Sequence, residues 1–277
     1  MKTKLLASIM LFLCLITTWS AVAQRAKETK KFVILIASYN NEKYVKKNIL
    51  SAIQDYPDEY YRIIYIDDCS TDATCQKAQK IIAESGKSHL FTLIHNETNK
   101  GALYNHWSTI HNLIEDDEIV VILDGDDRLA GDFVLNYLND IYTKNDIWLT
   151  YGQYQEINSQ QIGFNKPMPE YVVKNNAFRR YQDIPSHLRT FYAKLYKNIK
   201  IEDLMLDDDF LIMCADMATG IPMIEQACDH FQFIPKVLYL YNDRNPISDH
   251  FKSRKLQIDI DHYVRSRQVY KPLETLF

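Results

Sequence analysis

Three carboxylates fall within four positions in Asp124–Asp127 (Asp-Gly-Asp-Asp), directly after the apolar run Val120–Leu123. Aspartates this close repel one another, so the arrangement costs free energy unless a cation or a bound polar ligand offsets their charge. Oxygen ligands at the carboxyl end of a strand suit Mg²⁺ or Mn²⁺, and such ions commonly hold substrate phosphates. A solvated acidic turn is the alternative, because Asp and Gly are ordinary turn residues.

Alternating strands and helices are predicted for the first half of the chain. Continuous apolar runs are typical of parallel strands buried on both faces, and they predict strands over 32–37, 62–66, 90–95 and 118–123. The segments between them predict helices over 42–54, 73–85 and 102–114. This alternation indicates a parallel, doubly wound sheet, in which ligands bind beyond the carboxyl ends of the strands.

Polar turns follow all four predicted strands. They contain Tyr39-Asn40, Asp67-Asp68, Asn99-Lys100-Gly101 and Asp124-Gly125-Asp126. Because the carboxyl ends of parallel strands meet at one edge of a sheet, we expect these turns to line a single crevice. The chain has seven glycines in 277 residues and no glycine-rich phosphate loop, so a phosphate there would be held by metal and side chains.

The second half of the chain gives weaker patterns. Helices are predicted over 132–142, 186–196, 217–227 and 259–270, and strands over 147–155 and 233–241. Residues 157–176 are polar and irregular, and we expect them to form a substrate-facing loop. The acidic segment Asp207–Asp209 is expected to be solvated surface. No repeat or linker interrupts residues 32–277, which we interpret as one domain.

The N-terminus has the pattern of a targeting segment. Two lysines precede an apolar stretch from Leu5 to Trp19, and Ala21–Ala23 fits a small-residue cleavage pattern. We expect a signal peptide over 1–23, a connector over 24–31 and a secretory or exported mature chain without a stable membrane span. An uncleaved N-terminal anchor is the alternative. The net charge of −4 argues against a nucleic-acid partner, and the pairing of the four remaining cysteines is left open.

Three blocks in the first half resemble the family-2 glycosyltransferases. They are Ile34–Glu42, Ile64–Thr74 and Val121–Asp127, and their order and spacing match that family. The resemblance implies the GT-A fold, an α/β, Rossmann-like three-layer sandwich with a mostly parallel central sheet. It also implies a nucleotide-sugar-binding half over 32–135 and an acceptor half over 136–277.

The resemblance assigns the residues around the nucleoside position by position. It implies that Ser38, Tyr39 and Glu42, in the turn after the first strand, contact the nucleoside. Asp68, or its neighbour Asp67, would accept a hydrogen bond from the base, which is most often uracil in this family.

Phosphate and metal contacts are implied farther along the chain. Lys100, beside Gly101, could serve a phosphate in a loop that lacks the family's usual arginine. Asp124 and Asp126 match the family's D-x-D element, which would hold Mn²⁺ or Mg²⁺ on the diphosphate of the sugar donor. His250 could be a third metal ligand, although a lone late histidine is more often structural.

Inverting members of the family take a general base from an acidic residue at the start of a helix, and Asp216 stands about where that element belongs. Asp216 would accept the proton of the acceptor hydroxyl as that oxygen attacks the anomeric carbon, which inverts the configuration. Glu225 is the alternative base, and a helix N-cap is the alternative role for Asp216. Asp127 is expected to cap the helix after the acidic run.

These assignments predict a metal-dependent, inverting glycosyltransferase that moves a sugar from a nucleoside diphosphate, with UDP-sugars favoured, to a glycan, lipid or protein acceptor. One alternative is a catalytically inactive sugar- or nucleotide-binding module. A nucleotidyltransferase is a weaker alternative, because Ser38–Asn41 lacks the glycine- and basic-rich phosphate loop common in that class. The chain has no Q-x-x-R-W element, which argues against a processive polysaccharide synthase.

Overall fold

The structure, a computed structural model, describes residues 29–183, 185–247 and 254–277. The predicted signal peptide, most of the predicted connector and His250 lie outside the described residues. Within the described ranges, no helix has the length and apolar character needed to cross a membrane. The cysteines in these ranges are free thiols: Cys69, Cys75, Cys214 and Cys228.

The first half of the chain forms the parallel part of the main sheet. Its strands are β1 (Phe32–Ser38), β2 (Tyr61–Asp67), β3 (Phe91–His95) and β4 (Ile119–Asp124), in the order β3-β2-β1-β4. Its helices are α1 (Val45–Ala52), α2 (Thr74–Glu84) and α3 (Ala102–Leu113). These elements lie close to their predicted bounds, since the central strands β1 and β4 are buried almost throughout, as the apolar runs indicate. The predicted fold class is confirmed.

Strand register brings the predicted turns to one edge of the sheet. Ser38 pairs with Asp67 across β1 and β2, and Asp67 pairs with His95 across β2 and β3. On the other side of β1, Ala37 pairs with Asp124 of β4. The polar residues after these strands therefore start from the same level of the sheet, as the sequence predicts.

The second half of the chain extends this sheet with antiparallel neighbours. Its strands are β5 (Arg128–Leu129), β6 (Leu149–Glu156), β7 (Thr190–Tyr192) and β10 (Phe231–Tyr241), and a separate hairpin contains β8 (Met205–Leu206) and β9 (Asp209–Phe210). Its helices are α4 (Val134–Lys144), α5 (Glu170–Lys174), α6 (Ala193–Lys197), α7 (Ala215–Ala227) and α8 (Arg254–Ser266). The sheet order continues from β4 as β7-β6-β10-β5. Strand β7 runs antiparallel to both β4 and β6, whereas β6 and β10 are parallel.

The predicted helix over 186–196 is wrong. Residues Thr190–Tyr192 form β7, and only the short helix α6 follows. The Thr190 hydroxyl bonds those of Tyr142 (2.8 Å) and Thr150 (2.6 Å), which fixes the strand in the core between β4 and β6. Threonine and aromatic residues favour strands, so packing and propensity agree here. The consequence is that the residues just before β7 lie beside the end of β4.

Candidate active site

The turn after β4 is held tightly against the end of β1. The Gly125 N–H donates to the Ala37 carbonyl at 3.2 Å. A Cβ on Gly125 would lie 2.5 Å from Ser38 Oγ and 2.8 Å from the Ser38 Cα atom. Any side chain at position 125 would push the two turns apart, so this glycine lets the acidic run sit against the predicted nucleoside turn.

Asp127 is buried and anchors the acidic run to β10. Its carboxylate accepts hydrogen bonds from the Tyr239 hydroxyl (2.7 Å) and from the Asn242 N–H (2.6 Å). The prediction that Asp127 caps the next helix is wrong, because the carboxylate faces β10 and α4 begins only at Val134. Its role here is to satisfy buried donors at the base of the turn.

Asp126 is half-buried in the same turn, beneath two asparagines. Its carboxylate accepts from Asn245 Nδ2 at 2.7 Å and more weakly from Asn242 Nδ2 at 3.4 Å. Burial, together with the charge of Asp124, raises the pKa of Asp126 to about 6. Burial and the charges of Asp126 and Asp124 likewise raise the pKa of the Asp127 carboxyl well above its ordinary value. These raised values express the repulsion expected among packed carboxylates.

Asp124 is the member of the run that meets basic groups. Burial alone would raise the pKa of Asp124, but the nearby His187 and Arg189 outweigh burial and hold it below the ordinary value. The Nδ1 atom of His187 lies 3.9 Å from Asp124 Oδ2 and is buried without a hydrogen-bond partner among the described residues. A nitrogen in this position, facing a carboxylate, is suited to bind a cation.

His187 is fixed in place by aromatic rings. Its imidazole stacks on Tyr239 (centroids 4.5 Å apart) and Tyr241 (5.6 Å), while Tyr154 meets it edge-on. Burial and the charge of Arg189 lower the pKa of His187 to about 4, so the ring is neutral near neutral pH. Sequence reasoning missed this histidine because a helix was predicted there. The strand-favouring run Thr190–Tyr192 was the available signal.

Hydrogen bonds join the turn after β1 to the turn after β2. The Asn40 N–H donates to Ser70 Oγ at 3.0 Å, and the Thr71 N–H donates to Asn40 Oδ1 at 2.8 Å. The Glu42 carboxylate accepts from the Ala73 N–H at 3.2 Å, at the start of α2. These bonds hold the predicted nucleoside turn rigidly against its neighbour.

Two other predicted nucleoside contacts differ in accessibility. Ser38 is buried, and its hydroxyl accepts a hydrogen bond from Asn41 Nδ2 at 3.2 Å. The Tyr39 side chain is 38% exposed, so its ring is available to a ligand. The structure thus gives Tyr39 an open face and Ser38 a place inside the turn.

Asp68 organises the loop after β3. Its two carboxylate oxygens accept from the backbone N–H groups of Lys100 (2.9 Å) and Gly101 (2.8 Å), and from Asn96 Nδ2 (2.8 Å). Gly101 has φ of +82°, a conformation that favours glycine. Asp68 therefore ties the loop that carries Lys100 to the end of β2, and the Lys100 side chain itself is exposed.

The two candidate bases lie in different surroundings. Asp216 is half-buried in the first turn of α7, where its carboxylate accepts the Met217 N–H at 2.9 Å. Its charge acts on His187, so the two side chains lie within electrostatic reach of each other. Glu225 is fully buried farther along α7, 2.9 Å from the guanidinium of Arg179. Glu225 is thus held in a separate ion pair, whereas the Asp216 carboxylate is partly accessible.

Within the described residues, two groups of side chains could supply three metal ligands each, with all ligand atoms of a group within 4.8 Å of one another. They are Asp124, Asp127 and His187, and Asp67, Cys75 and His95. The first group lies at the end of β4 in the crevice that the sequence predicts. In the second group, Asp67 is already hydrogen-bonded to His95 Nδ1 at 2.8 Å.

Comparison with known proteins gives related sequences and folds. A segment of 51 residues, 18% of this chain, is 41% identical to the poly(ribitol-phosphate) beta-N-acetylglucosaminyltransferase TarS of Staphylococcus aureus, and it covers 9% of that protein. A crystal structure of TarS residues 1–349 with UDP-GlcNAc has a TM-score of 0.62 at 19% identity, covering 87% of this chain and 68% of that one.

A second solved structure is more distant in sequence. The mannosyltransferase PcManGT from Pyrobaculum calidifontis, in complex with GDP-Man and Mn²⁺, has a TM-score of 0.55 at 14% identity, covering 85% of this chain and 69% of that one. Residues 33–205, more than half of the chain, match the family described as glycosyl transferase family 2. That match includes the turns after β1, β2 and β4, and the chain belongs to glycosyl transferase family 2.

Proposed function

We propose that this protein is a metal-dependent, inverting glycosyltransferase. It transfers a sugar from a nucleoside-diphosphate sugar, with UDP-sugars favoured, to a hydroxyl of a glycan, lipid or protein. The observation that carries the proposal is that His187 faces Asp124 at the end of β4, with the half-buried carboxylate of Asp216 within electrostatic reach of that imidazole. This reaction needs a cation site lined by carboxylates and, near it, a carboxylate that can act as a base.

The side chains at the end of β4 fit a divalent cation. Within the part of the chain that the structure describes, His187 Nδ1 is a buried nitrogen without a hydrogen-bond partner, and it faces Asp124 at 3.9 Å. Asp124 and His187, with Asp126 beside them, would hold Mn²⁺ or Mg²⁺, whereas Asp127 is occupied by its hydrogen bonds to β10. When bound, the ion supplies positive charge against the departing nucleoside diphosphate. A contribution from His250 stays a prediction.

Asp216 carries the proton transfer in this proposal. Its carboxylate is half-buried, and from the described residues it accepts one hydrogen bond, from the N–H of Met217, which leaves oxygen lone pairs for the acceptor hydroxyl. As the hydroxyl oxygen attacks the anomeric carbon from the side opposite the diphosphate, Asp216 takes its proton. Attack from that side inverts the configuration. Glu225 has no such role in this scheme, because Arg179 and the Tyr270 N–H already engage its carboxylate.

The nucleoside would lie on the turn after β1. Tyr39 offers an exposed ring, and the turn is held by its bonds to Ser70 and Thr71. A uridine nucleotide is bound in the TarS complex and a guanosine nucleotide in the PcManGT complex, so both bases belong in the test. The predicted signal peptide would place the activity in the secretory route or outside the cell.

Thermal-shift measurements test this function directly. The protein is heated with UDP, GDP, UDP-GlcNAc or GDP-Man, each with Mn²⁺ and with EDTA. A nucleotide at 100 times its dissociation constant adds about 2.7 kcal/mol to the free energy of unfolding, so we expect a clear Mn²⁺-dependent rise in melting temperature with one nucleotide series. No shift with any of them would contradict the proposal.

Turnover separates an enzyme from a binding module. With the selected sugar donor, release of the nucleoside diphosphate is followed against a panel of glycan, lipid and peptide acceptors, and the anomeric configuration of the product is read by NMR. We expect inversion. A Mn²⁺-dependent thermal shift without any turnover would instead favour the inactive sugar- or nucleotide-binding module.

A further inference from the structure

Arg189 lies beside the acidic run at a position that the proposed reaction has not yet used. Its carbonyl accepts the Ile122 N–H at 3.2 Å, so its backbone lies against β4 two residues before Asp124. It directly precedes β7 and follows His187 by two residues. Both Arg189 and His187 act on the charge of Asp124, which puts the guanidinium within electrostatic reach of the carboxylate.

The guanidinium of Arg189 has no partner among the described residues. It makes no ion pair and no hydrogen bond there, and its Nε atom is buried and unsatisfied. Other partly buried arginines differ: Arg62 pairs with Glu118 at 2.6 Å, and Arg267 pairs with Asp203 at 2.7 Å. Burying a nitrogen of a charged guanidinium without a partner costs free energy. Binding of an anion to the guanidinium would offset this cost in free energy.

Arg189 also supplies positive charge close to Asp124. A guanidinium is charged at every ordinary pH, whereas an imidazole is not. Arg189 therefore brings a permanent positive charge to this part of the molecule. The carboxylate of Asp124 lies within electrostatic reach of that charge.

We propose that Arg189 binds an oxyanion of the sugar donor, either the terminal phosphate of the nucleoside diphosphate or a carboxylate on the transferred sugar. The proposal rests on the proposed function. A guanidinium presents several N–H donors in a rigid plane that matches two oxygens of a phosphate or carboxylate. If the anion is the phosphate, Arg189 also stabilises the charge that grows on the leaving group.

Calorimetric titration with a graded series tests this assignment. For the base selected in the thermal-shift screen, written here for uracil, the ligands are uridine, UMP, UDP, UDP-glucose and UDP-glucuronate with Mn²⁺. The proteins are wild type, Arg189→Gln, Arg189→Lys and, as a matched control, Arg180→Gln, which changes an exposed arginine. We expect Arg189→Gln to bind uridine like wild type and UDP about 10- to 100-fold more weakly. Arg189→Lys should fall between them, and Arg180→Gln should match wild type.

The two anion sources give different patterns. A loss already present with UDP, and of equal size with UDP-glucose and UDP-glucuronate, assigns Arg189 to the terminal phosphate. A loss confined to UDP-glucuronate, with UDP unchanged, assigns it to a sugar carboxylate. Both patterns support the proposal.

Other outcomes overturn it. If Arg189→Gln binds both UDP and UDP-glucuronate as tightly as wild type does, Arg189 does not bind the anion. The proposed function then still stands. If wild type binds no nucleotide, the proposed function fails as well. Because the guanidinium has no hydrogen-bond or ion-pair partner to lose among the described residues, Arg189→Gln should melt near the wild-type temperature. A lower melting temperature combined with lost uridine binding would show a structural role instead.

Discussion

Two aspartate runs, Asp124–Asp127 and Asp207–Asp209, have the same composition of charge and opposite surroundings. In the first run, Asp127 is buried under β10 and Asp126 accepts from Asn245. In the second, all three side chains are exposed at the tip of the β8–β9 hairpin. The first run meets a buried imidazole, whereas no hydrogen bond from a side chain engages the second among the described residues.

The contrast shows that the surroundings of a carboxylate cluster decide whether it is suited to bind a cation. Asp207 and Asp208 have φ of +53° and +68°, so they serve the hairpin as turn residues in the left-handed region. Water solvates their charges, since both side chains are exposed. In the first run, the carboxylates are close together and partly withdrawn from water, so their repulsion is strong. A bound cation would offset that repulsion.

Neutralising Asp126 gives the largest difference between the two runs. Asp126→Asn keeps an oxygen to accept from Asn245 but removes the charge, so we expect turnover to fall by roughly 10³-fold and Mn²⁺-dependent nucleotide binding to be lost. Asp208→Asn is the matched control and should leave both unchanged. Steady-state rates and titration with and without Mn²⁺ measure this, and equal affinity of Asp126→Asn and wild type would remove the residue from the metal site.

A carboxylate outside both runs sharpens the comparison. Asp216→Asn should lower turnover by about 10²- to 10⁴-fold and leave nucleotide binding intact, because it removes only the proton acceptor. Glu225→Gln should instead lower the free energy of unfolding by about 3–5 kcal/mol, because it leaves Arg179 buried without its counter-charge. Rates, titrations and urea unfolding on both variants separate the two roles. Near-wild-type turnover of Asp216→Asn would contradict the assignment of the base.

Asp127 and Asp209 should differ in stability. Asp127→Ala leaves the Tyr239 hydroxyl and the Asn242 N–H without their acceptor in a buried site, so we expect a loss of about 2–4 kcal/mol in the free energy of unfolding. Asp209→Ala changes an exposed side chain and should stay within about 0.5 kcal/mol of wild type. Urea unfolding compares them. Equal stabilities would mean that the buried hydrogen bonds contribute nothing.

The smallest effect is expected at the tip of the hairpin. Asp208 has positive φ, so Asp208→Gly relieves a conformational cost of the side chain and should raise the free energy of unfolding by less than about 1 kcal/mol. Thermal unfolding detects a change of this size in a direct comparison with wild type. A clear loss of stability would show that the Asp208 carboxylate makes contacts that its exposure does not suggest.

The first half of the fold, including the sheet edge that carries the polar turns, could be predicted from sequence because each inference depends on a local sequence pattern. Apolar runs specify β1 and β4, and the polar turns follow from the parallel order of strands. The position of β7 in the second half could not, since β7 is only three residues long and its partners β4 and β6 set its place in the sheet. Because β7 lies beside β4, His187 and Arg189, which directly precede β7, lie near the acidic run. No spacing along the chain indicates this proximity.

The contact between Gly125 and Ser38 also limits how this sequence can change over evolutionary time. A methyl group at position 125 would collide with the Ser38 side chain and with its Cα atom, 2.8 Å away. Shrinking Ser38 removes the first collision but leaves the second, so a compensating substitution at position 38 cannot open position 125. The constraint runs in one direction. Position 38 can lose side-chain atoms without such a collision while position 125 stays glycine, and homologues should show that asymmetry.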